Sequence, residues 1–252
     1  MNFQVSADAR PQVRTLLAVT LLSVALWFIP FAEYLTYPFR LFVTFIHEGG
    51  HALAALLTLN SVISLSVAPD TSGLTHTTTG GFFSQLLTSS AGYVGATAYG
   101  ALLLVLIRKA MAARYVLLGS AGLVLALTLI FGLAVPAFNL SFWSDVPFTL
   151  VSGLVIAGGL IAVALWTSPR VASFFASFLA VQCVLNALSG LKTVFFMSTP
   201  FAVNAHSDAV NMANLTGVPS IVWAALWVVV SLVILSAALR VYAVKVESSA
   251  GN

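Results

Sequence analysis

Two of the four His and one of the three Glu in this chain fall within a single pentapeptide, His47-Glu48-Gly49-Gly50-His51. Histidines four residues apart share one face of a helix and can grip one metal ion. A Glu beside the first can take a proton from a water held there. The composition alone would produce an H-E-x-x-H on the order of once per thousand such chains. The pentapeptide lies in an apolar run from Leu41 to Leu59. A run of this kind is expected in lipid, where titratable side chains are costly and usually functional.

Two His are not a complete catalytic zinc site, which usually takes three protein ligands and leaves one position for water. Residues 52–60 contain no His, which excludes the extended metzincin pattern. The one Glu after Glu48 is Glu247, in the tail, which disfavours a thermolysin-like site. Asp70, His76, Asp145, His206 and Asp208 remain as candidates. Asp208 ranks first, because it follows a helix start at Ser207 in the most polar cluster of the C-terminal half. Its competing role is that of an acidic residue placed favourably at a helix N-terminus. His206 can partner a ligand or donate to a transition state, or simply be an exposed loop residue. Asp145 reads as a capping residue in an interfacial turn, Asp70 as a turn residue, and His76 as a strand residue beside a groove.

The elements that must hold these residues follow from composition. The chain has 252 residues, 60% hydrophobic and 7% charged, against about 25% charged in a soluble domain. It is therefore expected to be an all-α, polytopic, integral membrane protein, in the cell membrane if the source is bacterial. The net charge of +3, spread over short loops, excludes a nucleic-acid patch. Apolar windows long enough to span a bilayer lie near 15–34, 39–60, 83–107, 115–135, 147–167, 171–195 and 219–243. They predict about six to seven transmembrane helices in one integral membrane domain over residues 1–252: a first span at 15–34, a core at 39–243 and a tail at 244–252. After the motif helix, residues 61–67 alternate with period two, Pro69 to Gly73 signal a turn, and Leu74 to Thr79 are polar and Thr-rich. This predicts a small β-hairpin beside the metal site. Gly92, Ala96 and Gly100 form a small-residue face expected to pack against the motif helix. Asn186, in an apolar span, can bond either a substrate backbone or a neighbouring helix. Cys183, alone, has no disulfide partner in the chain.

With these features the chain resembles the site-2 protease class of intramembrane metalloproteases, peptidase family M50, and in particular its M50B-like branch. The resemblance rests on His47 to Ala54 in a membrane helix, the strand-like Val62 to Val67, and Gly92-Tyr93-Val94-Gly95. It extends to His206-Ser207-Asp208-Ala209 leading to Thr216-Gly217-Val218-Pro219 and Trp223, and covers most of the chain from residue 39. It implies a zinc ion held by His47, His51 and Asp208, with Glu48 as general base, and cleavage of peptide bonds within or near the membrane. Well-known members supply the Asp from an Asp-Gly pair; here Asp208 is followed by Ala209.

The expected function is thus a zinc-dependent intramembrane endopeptidase acting on membrane proteins or peptides. Asn186 and the strand residues Ile63, Leu65 and Val67 are the expected substrate contacts, the strand holding an extended chain by β-addition. Nothing resembles an appended regulatory domain, so regulation would fall to a membrane partner or to the bilayer. The alternative is a non-proteolytic metal- or partner-binding scaffold of the same fold. A transporter is a weaker third option, because the ionisable residues cluster at one site and are not spread over facing spans.

Overall fold

Pro30 and Pro38 govern where the first helices divide. The computed structural model describes residues 10–26, 28–108, 112–138, 143–197 and 207–243, with side chains for 14–26, 28–107, 112–138, 143–185 and 207–240. Helix α1 spans Arg10–Leu26 and α2 spans Ala32–Leu57. Pro30 disfavours helix at the residue before it, and Phe31 takes a left-handed conformation (φ 63°). Pro38 lies inside α2 without ending it. The division therefore falls near residue 30 and not near the expected 35–38.

The hairpin follows as β1 (Val62–Val67) and β2 (Gly73–Thr77), paired antiparallel with Leu65 opposite Thr75 and Val67 opposite Gly73. Helix α3 (Phe82–Arg108) comes next, then α4 (Ala113–Ala126), which continues as a π-helical segment at Leu127–Ala134 and a short 3₁₀ turn at Pro136–Phe138. Helices α5 (Val146–Trp166), α6 (Pro169–Met197), the short α7 (Asp208–Thr216) and α8 (Ser220–Ala243) complete the order.

Four helical stretches among the described residues are long and apolar enough to cross a membrane: Phe82–Ile107, Ala113–Phe138, Val146–Trp166 and Ser220–Arg240. The described apolar parts of α1 and α6, Arg14–Leu26 and Pro169–Leu185, are shorter, and α2 carries Glu33, Arg40 and Glu48. Length and composition thus mark four spans among the described residues, where six to seven were expected in the whole chain. Val155, Leu165, Val229 and Val233 are each more than half exposed, which suits a lipid-facing surface and not a water-facing one.

Helix α3 is the hub, packing on α2, α6, α7 and α8. Its contact with α2 depends on small residues. A Cβ on Gly50 would strike the Ala91 carbonyl oxygen, and one on Gly95 would lie 3.4 Å from Gly50 Cα. Gly100, expected on this face, instead abuts α6: a Cβ there would lie 2.6 Å from Ala180 O and 3.0 Å from Cys183 Cβ. Eight residues overshoot two helical turns by about 80°, so Gly92 and Gly100 cannot face the same neighbour squarely.

Candidate metal centre

Helix α2 presents His47 and His51 one turn apart, their rings edge-to-face with centroids 4.8 Å apart and Nε2 atoms 3.1 Å apart. The His51 Nδ1–H donates to the Thr88 carbonyl at 2.6 Å. That bond fixes the tautomer and turns the Nε2 lone pair towards the cluster. His47 packs edge-on against Tyr93 (4.6 Å), which in turn stacks on Trp227 (5.2 Å).

The third group arrives on α7. Ser207 caps this helix, its Oγ accepting from Val210 N at 3.3 Å, so the Asp208 carboxylate is not used as the cap. Ala209 and Met212 are fully buried and pack with Ala224 and Trp227, which docks α7 on α3 and α8. Asp208 Oδ2 lies 3.0 Å from His47 Nε2 and 3.3 Å from His51 Nε2.

His47, Glu48 and His51 each offer a ligand atom within 4.8 Å of the others and could hold a metal ion. Asp208 comes nearer to both imidazoles than that limit requires, and Glu48 is already engaged, its Oε2 accepting from Thr75 Oγ1 at 2.7 Å. Ligands at about 2.0–2.1 Å in tetrahedral array stand about 3.3 Å apart. The two imidazole nitrogens and the Asp208 oxygen, at 3.0, 3.1 and 3.3 Å, have that spacing. Gly92 contributes room: a Cβ there would fall on His47 Nε2 and within 2.5 Å of His51 Nε2. The carboxylates of Asp208 and Glu48 beside the two imidazoles also suit a divalent cation. The residues present fit zinc.

Asp70, His76 and Asp145 do not join this group. Asp70 Oδ1 accepts from Ser72 N (2.9 Å) and Ser72 Oγ (2.6 Å) at the hairpin tip, and those bonds hold its carboxyl below the ordinary aspartate range. The Nδ1 of His76 meets Ser64 Oγ at 3.2 Å across the hairpin. Asp145 heads α5 and accepts from Ser144 Oγ. His206 and the side chain of Asn186 lie outside the described residues.

The hairpin borders the site because α2 moors it along one face. Tyr37 Oη donates to Pro69 O (2.8 Å), Arg40 Nη2 to Thr71 Oγ1 (2.7 Å) and Thr44 Oγ1 to Thr71 O (2.7 Å). Glu48 continues the same helical stripe, and Gly73 passes so close that a Cβ would sit 2.6 Å from Glu48 Oε1.

The edge of β1 is not open for the strand addition expected of Ile63, Leu65 and Val67. Ala68 N–H donates to Ser72 O, so the alternation of an antiparallel ladder turns the main chain of Leu65 and Val67 away from β2. That edge is covered. Val67 N–H donates to Thr149 Oγ1 of α5 at 3.0 Å, and a Cβ on Gly132 of the π-helical segment would lie 3.6 Å from Leu65 O. The Leu65 and Val67 side chains are buried in the core, and Ile63, at the register irregularity of the strand, is half-buried. The open edge belongs to β2. Its outward groups at Gly73, Thr75 and Thr77 meet no main-chain partner beyond the hairpin among the described residues.

Sequence reasoning missed Thr75, the Thr88 carbonyl and Tyr93 as neighbours of the motif. Thr75 carried one signal, its position two residues after Gly73 in an alternating strand; the Thr88 carbonyl carried none.

Fold and site together define an integral, multi-pass membrane protein with an H-E-x-x-H group able to hold a metal. The sequence matches the Peptidase M50B-like family over residues 16–238, most of its length, and the chain belongs to that family. A metallopeptidase kind of activity is what this membership supports. Neither curated proteins nor solved structures gave a match.

Proposed function

We propose that this chain is a zinc-dependent intramembrane endopeptidase, with α1, α2 and α6 embedded in the bilayer beside the four apolar spans. The observation that carries this reading is the approach of Asp208 Oδ2 to both imidazole nitrogens from a helix 161 residues further along the chain. His47, His51 and Asp208 hold the ion. When bound, zinc would supply Lewis acidity, polarising the scissile carbonyl and bringing the pKa of water towards about 7.

The remaining steps belong to the chain's own residues. Glu48 accepts the proton of the attacking water and returns it to the leaving amine. The Thr88 carbonyl keeps His51 in the ligating tautomer. A membrane-embedded or membrane-proximal substrate must be extended to expose its peptide bond. The open edge of β2 would hold it through main-chain hydrogen bonds, with Asn186 a further contact.

The test is purified protein in vesicles with a membrane-anchored reporter substrate. About one zinc per chain and cleavage are expected in the wild type. Glu48→Gln should keep the zinc and lose cleavage, since general-base contributions run to about 10²–10⁴-fold. Undiminished cleavage by Glu48→Gln would refute the mechanism, and zinc without any cleavage in the wild type would favour the scaffold reading.

A further inference from the structure

The structure assigns Thr75 a second duty besides building β2: we infer that it is the positioning residue for Glu48, tying the carboxylate to the strand that receives substrate. The inference rests on the protease reading above. Glu48 is 4% exposed, and a buried carboxylate needs hydrogen-bond partners to hold one orientation. The Thr75 hydroxyl has a single proton. It donates to Glu48 Oε2 at 2.7 Å, with the Glu48 main-chain carbonyl, at 3.2 Å, as the alternative acceptor. Among the described residues no other side chain donates to Glu48.

The backbone of the same residue has a different outlook. Thr75 pairs with Leu65 at a ladder position whose N–H and C=O point away from β1, so its main chain lies on the open edge while its side chain reaches the base. Gly73 makes this possible. A Cβ there would lie 2.6 Å from Glu48 Oε1 and from Thr44 Cγ2 and would push the strand off α2. A substrate strand docking on β2 therefore shares one residue with the carboxylate that must act on it. Docking and base orientation are coupled through the χ1 torsion of Thr75, which is stiff because the residue is β-branched.

Thr75→Val keeps shape and strand propensity but removes the donor. In the zinc-loaded protein, with Glu48→Gln run alongside, it should lower kcat by about ten- to a hundredfold, the range for a lost hydrogen bond to a charged group. KM and zinc per chain should stay as in the wild type, because the strand's main chain and the ligands are untouched. Thr75→Ser, which restores the hydroxyl, should recover most of kcat. The inference is overturned if Thr75→Val turns over like the wild type, if its defect lies wholly in KM, or if it loses its zinc. It is equally overturned if Thr75→Ser is as impaired as Thr75→Val. Continued cleavage by Glu48→Gln is a separate outcome and would sink the protease reading itself.

Discussion

Gly92→Ala should cripple metal binding without harming the helix that carries it. A Cβ at this position would lie 2.5 Å from both His47 Cε1 and His51 Nε2. Ordinary contact begins at 3.4 Å and His47 Nε2 lies closer still, so each ring would have to withdraw by about 0.9 Å or more. Ligand positions in a working site hold to within about 0.2 Å, and the required shift is several times that. Both rings are hemmed in, His51 by its bond to Thr88 and His47 by Tyr93. We expect zinc affinity to fall by at least about 100-fold, the upper end of the loss seen when a ligand's support is disturbed. Intrinsic helix preference changes in the opposite sense, favouring Ala by about 1 kcal/mol. Competition with a chromophoric chelator in detergent measures the affinity, and circular dichroism measures the helix. Gly158→Ala is the control, because nothing lies within 4 Å of a Cβ there. Wild-type zinc affinity in Gly92→Ala would refute the geometry proposed for the centre.

Two further substitutions test the frame of the site. Gly50→Ala would drive a methyl into the Ala91 carbonyl oxygen; parting α2 from α3 should cost about 1–3 kcal/mol, as overpacking does, and lower the thermal midpoint in detergent, whereas an unchanged midpoint would contradict the close approach. Asp208→Asn should weaken zinc binding by about 10-fold or more while leaving the helices assembled, and a variant with wild-type metal content would remove Asp208 from the ligand set.

How much of this was legible beforehand depended on how local each feature is. His47, Glu48 and His51 are fixed by helical spacing over five residues, so sequence sufficed to group them. Asp208 could be ranked by ligand count, but its approach depends on α7 docking against α3 and α8, which no local pattern encodes. The hairpin followed from alternation and turn residues. Which of its edges stays open did not, because the cover comes from Thr149, 82 residues away. The Gly100 error was of another kind: a four-residue repeat was treated as one stripe when helical geometry rotates it towards α6. The first helix boundary was misplaced because apolar windows alone set it between 34 and 39, whereas the chain breaks at Pro30 and runs helical through Pro38.

The moorings of the hairpin along α2 have a mechanical consequence. Tyr37, Arg40 and Thr44 tether the turn, Glu48 supplies the carboxylate and His47 and His51 the imidazoles, so turn, strand edge and pentapeptide ride on one rod. If the bilayer thins or α2 tilts, these parts travel as a rigid body and their mutual register survives. Asp208 comes instead on α7, which packs against α3 and α8. A movement of α7 away from α2 would therefore open the cluster at Asp208 while the groups aligned on α2 keep their register.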